Sequence, residues 1–71
     1  MKYNLAGIDG SIFRIMSYVI NAMEECKLSK ADRYAYFKDA TSSNYDHLIY
    51  VSAKMIEKCN QIADSMLISK L

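Results

Sequence analysis

In residues 44–69, NYDHLIYVSAKMIEKCNQIADSMLIS, apolar residues recur at alternating steps of three and four. This spacing is typical of an α-helix with one apolar face, and it predicts a helix over 44–69. Written as heptads, the row has Ser52 as its single polar member. Its apolar positions are Tyr45, Leu48, Ile49, Met55, Ile56, Cys59, Ile62, Ala63, Met66 and Leu67. The opposite, polar side is predicted to hold Lys54, Glu57, Lys58, Asn60, Gln61 and Asp64.

The remainder of the chain predicts two shorter helices and a turn-rich start. Residues 1–10 contain both glycines, Gly7 and Gly10, and this spacing predicts a turn. Apolar periodicity predicts helices over 11–27 and 30–40. A chain of 71 residues that is 52% hydrophobic and has no proline lacks the repeated turns of a sandwich or barrel. The sequence therefore predicts one small all-α domain of three helices.

The first helix is apolar around most of its circumference, so we expect it to lie centrally and contact more than one neighbour. Its apolar members are Ile12, Phe13, Ile15, Met16, Tyr18, Val19, Ile20, Ala22, Met23 and Cys26. The second helix is expected to face inward with Arg33, Tyr36, Phe37 and Ala40, although a register based on Tyr34 and Ala35 fits nearly as well.

Short polar side chains precede each predicted helix. Asp9 or Ser11 is expected to cap the first helix, because a side-chain oxygen there accepts a free amide N–H. Ser29 with Asp32 has the spacing of a capping box for the second helix. Ser43 with Asp46 repeats that spacing, and the sequence therefore predicts the start of the third helix near Asn44.

The third helix is predicted to be longer than its neighbours. About 25 residues span roughly 38 Å at 1.5 Å per residue, whereas the first helix spans roughly 25 Å. Apolar surface on the third helix that the two shorter helices cannot cover marks an interaction site. The simplest way to cover it is to pack the same helix of a second copy against it about a two-fold axis. We therefore expect a homodimer or higher oligomer through this helix, with an interface of Met55, Cys59, Ile62 and Met66.

Charge and composition exclude several classes of protein. The formal net charge is +1, from nine basic and eight acidic side chains that are interleaved, which argues against a nucleic-acid partner. The apolar runs are too short for a membrane span, and no secretory h-region follows Met1. Cys26 and Cys59 fall on apolar stripes, so we expect reduced, buried thiols in a cytoplasmic protein.

The titratable residues predict no catalytic or metal site. His47 is the only histidine, and no nucleophile lies at a helical spacing from it, so we expect its partner to be a backbone group or a carboxylate. Cys26, His47 and Cys59 lack the paired spacing of a zinc site. Gly7 and Gly10 are not followed by the lysine of a phosphate-binding loop. We therefore predict a protein that is not an enzyme and has no cofactor.

Six tyrosines are the most unusual feature of the composition. Tyrosine combines a flat apolar ring with a polar tip, which suits both binding surfaces and the rim of a small core. Tyr45 and Tyr50 share the start of the long helix. We expect core or rim positions for most tyrosines and a binding surface for at least one or two.

Residues 4–13, NLAGIDGSIF, and residues 43–49, SNYDHLI, carry a resemblance when they are taken together. The first stretch resembles the opening N-L-x-G-x-D-G-N-x-F of a group of small, largely uncharacterised bacteriophage and prophage proteins. Residues 43–49, SNYDHLI, resemble its S-G-D-Y-D-H-L-L segment, which opens the last helix, and residues 28–40 match its middle helix in placement. Ser11, Arg33 and Asn44 depart from the pattern, and the chain from Val51 onward carries no signature of the group.

The resemblance implies a phage-type protein acting in the cytoplasm of a bacterial host, where small helical proteins often work by occupying a target. It implies a non-enzymatic inhibitor of a host defence system, anti-CRISPR-like or similar, that acts by direct protein binding. The alternative is an oligomeric sponge that sequesters a defence signalling nucleotide in an inter-subunit pocket, with Lys2, Arg14 and Arg33 as the early candidate cations.

The two motif segments are expected to lie close together and to form the site. The predicted ligand- or partner-binding residues are Asp9, Ser11, Arg14, Tyr45, Asp46, His47 and Tyr50. The alternative is structural: Asp9, Ser11, Asp46 and His47 would tie the two helix starts together by capping and side-chain hydrogen bonds.

Overall fold

Three helices account for most of the computed structural model, which describes residues 2–69, with side chains as far as Met66. Helix α1 spans Ile12–Glu25, α2 spans Lys30–Ala40 and α3 spans Tyr45–Ser69, and residues 2–69 contain no strand. The prediction of a small all-α domain with a long last helix is confirmed. Helix α1 ends two residues earlier than expected, since Lys27 takes the left-handed conformation with a φ of 65°.

Helix α3 is the central element, because it packs along both other helices while α1 and α2 contact each other little. Helices α1 and α3 run parallel. The Tyr45 hydroxyl donates to the Gly10 carbonyl oxygen at 2.9 Å where both helices begin, and the Cys26 thiol donates to the Cys59 carbonyl oxygen at 3.4 Å where α1 ends. Because α3, and not α1, packs along both other helices, the prediction that α1 lies at the centre is wrong.

Helix α2 runs antiparallel to α3. Near the middle of α2, the Tyr36 and Ser52 hydroxyls are 2.6 Å apart, and both side chains are buried. Each hydroxyl thus satisfies the other inside the core, which explains the polar position in the apolar stripe of α3. Burial raises the pKa of Tyr36, and the hydrogen bond with Ser52 opposes that shift.

The core lies between the inner faces of the three helices. Its buried apolar residues are Tyr3, Ile15, Met16, Val19, Ala22, Met23, Cys26, Tyr36, Ala40, Leu48, Ile56 and Cys59. The placement of Ile12, Phe13 and Phe37 in the core is wrong, because all three are exposed. Ile12 is the first residue of α1, and α2 faces the core with Tyr36 and Ala40, the two members of its predicted inner face that are buried. No helix in the described range 2–69 combines the length and apolarity of a membrane span.

The helix starts show one predicted capping box and one different cap. At α2, the Ser29 hydroxyl accepts from the Asp32 amide at 3.1 Å, and the Asp32 carboxylate accepts from the Ser29 amide at 3.2 Å, as predicted. At α3, the Asn44 side-chain oxygen accepts from the His47 amide at 2.9 Å. The Ser43–Asp46 capping box is therefore wrong, because Asn44 is better placed to bond the free amide.

The amino-terminal segment, residues 2–10, packs against the helices in a way that the sequence pattern did not predict. The Tyr3 amide donates to the Asn60 side-chain oxygen at 2.8 Å, and the Asn60 side-chain nitrogen donates to the Tyr3 carbonyl oxygen at 3.0 Å. The buried Tyr3 ring meets Tyr18 edge to face, with centroids 6.5 Å apart. Asn60 is buried, so its assignment to the polar side of α3 is wrong.

Candidate functional site

The turn that precedes α1 is held by Asp9. One carboxylate oxygen accepts from the Ser11 amide at 2.8 Å, and the other lies 3.4 Å from Arg14 Nε. Ser11 occupies the N-cap position, but its side chain makes no capping hydrogen bond. Gly7 has a φ of 86°, in the left-handed region that favours glycine, which confirms the predicted turn. Of the two candidate caps, Asp9 is the one whose side chain binds a backbone amide.

The two motif segments meet through Tyr45. Its hydroxyl donates to the Gly10 carbonyl oxygen at 2.9 Å, so the turn before α1 and the first residue of α3 are in contact. A Cβ atom at Gly10 would lie 3.2 Å from the same hydroxyl, which is a tight contact, so glycine suits this close approach. The expectation that the segments lie close together is confirmed, with a tyrosine rather than the capping residues as the link.

His47 faces the end of α2 and not the turn before α1. Its Nε2 atom lies 3.0 Å from both the carbonyl oxygen and a carboxylate oxygen of Asp39, and 3.4 Å from the Ser42 hydroxyl. These contacts confirm the interpretation of His47 as a first-turn histidine held by a backbone group and a carboxylate. They also separate it from Asp9, so the structure does not bring the predicted set together as one site.

The other two predicted site residues on α3 are exposed. Asp46 lies in the first turn of α3. Tyr50 lies one turn later, and Lys54 Nζ is 5.8 Å from the centre of its ring. The predicted set is therefore divided: Asp9, Ser11, Arg14 and Tyr45 surround the turn before α1, whereas His47 and Tyr50 lie in other surroundings.

Three exposed apolar side chains, Ile12, Phe13 and Tyr45, flank the turn before α1, and we call them the amino-terminal surface. Phe13 is 83% exposed, Ile12 46% and Tyr45 44%. Beside Phe13, an open pocket of about 600 Å³ is lined in part by Asp9 and Arg14. Sequence reasoning missed Phe13 as a surface residue. The one available signal was its place one turn before Ser17, on the polar side of α1.

The predicted oligomer interface requires one correction. Cys59 is 0% exposed, since α3 presents it to the core of its own subunit, so it has no surface to offer a second copy. Met55 and Ile62 are half-buried against the same core, and Met66 is exposed. Met55, Ile62 and Met66 therefore remain as the candidates for self-association.

The two cysteines form a buried thiol pair behind Tyr3. Both are free thiols, as predicted. Burial, with the neighbouring Cys26 thiol as a second cause, raises the pKa of Cys59 to about 11. Burial and the hydrogen bond to Glu25 also raise the pKa of Tyr3. A buried thiol that stays protonated at neutral pH is a poor nucleophile and metal ligand, and the described residues hold no group of three metal-ligating side chains.

Comparisons with protein-family models, with curated proteins and with solved structures gave no match to this chain.

Proposed function

We propose that the protein is a non-enzymatic binding protein that inhibits a bacterial host defence system by contacting one of its proteins directly. We propose that the partner protein binds at the amino-terminal surface, because the large apolar side chain of Phe13 is exposed there. A few large anchor side chains supply most of the binding energy of protein interfaces, and an exposed aromatic ring on the first turn of a helix is suited to that role. The choice of a host defence protein as the target is supported by the resemblance of residues 4–13 and 43–49 to phage proteins.

The surroundings of Phe13 match the usual anatomy of a protein interface. Ile12 and Tyr45 add exposed apolar area next to the same turn, and the Asp9–Arg14 ion pair, which lines a pocket with Phe13, supplies a polar edge. Interfaces of this kind have an apolar centre and a polar rim. The expected partner surface is an apolar recess that receives the phenyl ring and is bordered by polar groups.

The nucleotide-trapping alternative has weaker support. Arg14 is paired with Asp9, and Arg33 donates to the Leu28 carbonyl oxygen at 3.1 Å and lies 4.0 Å from Glu24. A phosphate site needs cationic side chains that converge and remain available to the anion. The two arginines lie on different helices and have partners within the subunit, so direct protein contact is the better proposal.

Replacing Phe13 with aspartate is expected to abolish inhibition of the defence system. The substitution puts a carboxylate where an apolar anchor enters the partner, and loss of such an anchor weakens binding by about thirtyfold or more. The measurement is phage plating efficiency on bacterial strains that each carry one defence system and express the protein or the variant. Wild-type protein should restore plating on at least one strain, and Phe13→Asp should not.

The matched control is Tyr34→Asp, which makes the same change at an exposed aromatic on α2. It should leave plating efficiency unchanged, and both variants should unfold within about 0.5 kcal/mol of wild type because both sites are on the surface. Retained inhibition by Phe13→Asp, equal loss in both variants, or no effect of wild type on any strain would contradict the proposal.

We also propose that two or more copies associate through the end of α3. Because Cys26 at the end of α1 meets Cys59, the turns of α3 after Cys59 extend beyond α1. An open groove of about 610 Å³ there is lined by Lys58, Gln61, Ile62, Ser65 and Met66. Sedimentation equilibrium at micromolar concentration should give the mass of a dimer or larger assembly.

A charge placed in this groove should weaken the assembly. Met66→Lys is expected to shift the mass toward that of one chain, whereas Ala35→Lys, the same charge on the exposed side of α2, should not. A wild-type protein that sediments as a single chain at micromolar concentration would disprove self-association.

A further inference from the structure

A second surface lies at the other end of α1, where the amino-terminal segment crosses α3. A groove of about 500 Å³ runs there between residues 3–5 and the side of α3 from Ala53 to Asp64. We call it the α3 groove. It lies apart from the amino-terminal surface, which is near Gly10 and the starts of α1 and α3. It exists because Asn60 fixes the backbone of Tyr3 against the helix.

The inside of the α3 groove is apolar. Ile56 is a core residue, Leu5 is half-buried against the core, and Ala53 forms an exposed part of the wall. Asn60 also lines the groove, but its side-chain amide already pairs with the Tyr3 amide and carbonyl oxygen. A ligand would therefore meet mainly aliphatic surface, which favours apolar side chains.

The edge of the α3 groove is acidic. Glu57 and Asp64 are exposed, and they are the two charged residues of the lining. They are seven positions apart, two turns of one helix face, or about 10 Å along α3. Neither forms an ion pair within the part of the chain whose side chains are described. Lys54, one turn before Glu57, instead places its Nζ atom near the Tyr50 ring.

We propose that the α3 groove binds a basic amphipathic helix of a partner protein. The wall from Ala53 to Asp64 covers eleven residue steps, about 16 Å, which matches three turns of a bound helix. Apolar side chains of the ligand enter the groove, and lysine or arginine residues seven positions apart reach Glu57 and Asp64. The two carboxylates repel nucleic acids and acidic peptides, so the sign of the ligand charge is the specific part of this inference.

The probe is an acetylated and amidated helical peptide of about 15 residues, with leucines on one face and lysines seven positions apart beside them. Nuclear magnetic resonance of the intact protein measures the affinity and locates the site. Shifts should concentrate at Leu5, Ala53 and Ile56, and the affinity should fall as salt is added. The same peptide with glutamate in place of lysine should bind at least about tenfold more weakly.

Two variants test the groove itself. Glu57→Gln combined with Asp64→Asn should weaken binding of the lysine peptide about fivefold, as expected for two exposed ion pairs. Ala53→Arg, on an exposed position of α3, should abolish binding because it fills the groove and adds a positive charge. The matched control, Glu24→Gln with Asp46→Asn, removes the same charge elsewhere and should leave the affinity within about twofold of wild type.

Equal affinity for the lysine and glutamate peptides would overturn the proposal, as would shifts centred on Phe13 or on α2. Equal weakening in the control variant would mean that only the net charge of the protein matters, which also overturns it. These outcomes do not bear on the proposed function, because Phe13 lies outside the groove and its test uses a different variant.

Discussion

Replacing Asn60 with alanine is expected to lower the free energy of unfolding by about 3 kcal/mol. The Asn60 amide satisfies both the N–H and the C=O of Tyr3, at 2.8 and 3.0 Å, inside the structure. Alanine leaves both backbone groups without a partner, and each such group costs about 1–3 kcal/mol when buried. A domain of 71 residues has on the order of 4–10 kcal/mol to lose, so the variant should be only marginally folded.

Urea unfolding followed by circular dichroism measures this effect. The matched control is Gln61→Ala, which removes an exposed amide from the next residue of α3 and should change stability by less than about 0.5 kcal/mol. In native-state hydrogen exchange of Asn60→Ala, the Tyr3 amide should lose more of its protection than the other amides of the protein. Equal stability of the two variants would mean that the pairing of Asn60 with Tyr3 contributes nothing to the fold.

Replacing Met23 with alanine is the second large effect, with an expected loss of about 3 kcal/mol. Met23 is among the largest fully buried side chains, and it lies on the inner face of α1. Removing its three outer heavy atoms forfeits their burial and leaves a cavity that a small helical core cannot close. Alanine is the better helix former, so the loss comes from packing and not from helix propensity.

The Met23→Leu variant separates the effect of side-chain volume on stability from the effect of replacing the thioether. Leucine nearly conserves the side-chain volume and should cost less than about 1.5 kcal/mol in the same urea experiment. If Met23→Ala loses no more stability than Met23→Leu, the core around this residue is loosely packed, contrary to the complete burial of Met23.

Much of the fold could be predicted from the sequence because it depends on local patterns. The steps of three and four in residues 44–69 identify α3, and the Ser29–Asp32 spacing identifies the start of α2. Ser52 was correctly placed in the apolar row, although its partner, Tyr36, could not be named. Periodicity reports which side of a helix is buried, but it does not report which neighbour covers it.

The features that could not be predicted depend on contacts between distant residues. Asn60 is polar, so its residue type predicts a surface position. It is buried because Tyr3 packs over it, which the sequence pattern does not show. Phe13 widens the apolar face of α1 in the sequence, but the other helices cover only part of that face, so Phe13 is exposed. The separation of His47 from Asp9 likewise follows from the antiparallel path of α2, which no spacing within α3 reveals.

The two hydrogen bonds between Tyr3 and Asn60 also have a consequence for the order of folding. The two residues are 57 positions apart, so the Tyr3 backbone can pair only when α3 is available to receive it. Until then the Tyr3 ring and the thiol of Cys26 have no complete cover. Such a long-range contact loses loop entropy before it forms, so we expect the segment around Tyr3 to dock after the local contacts of the helices are made.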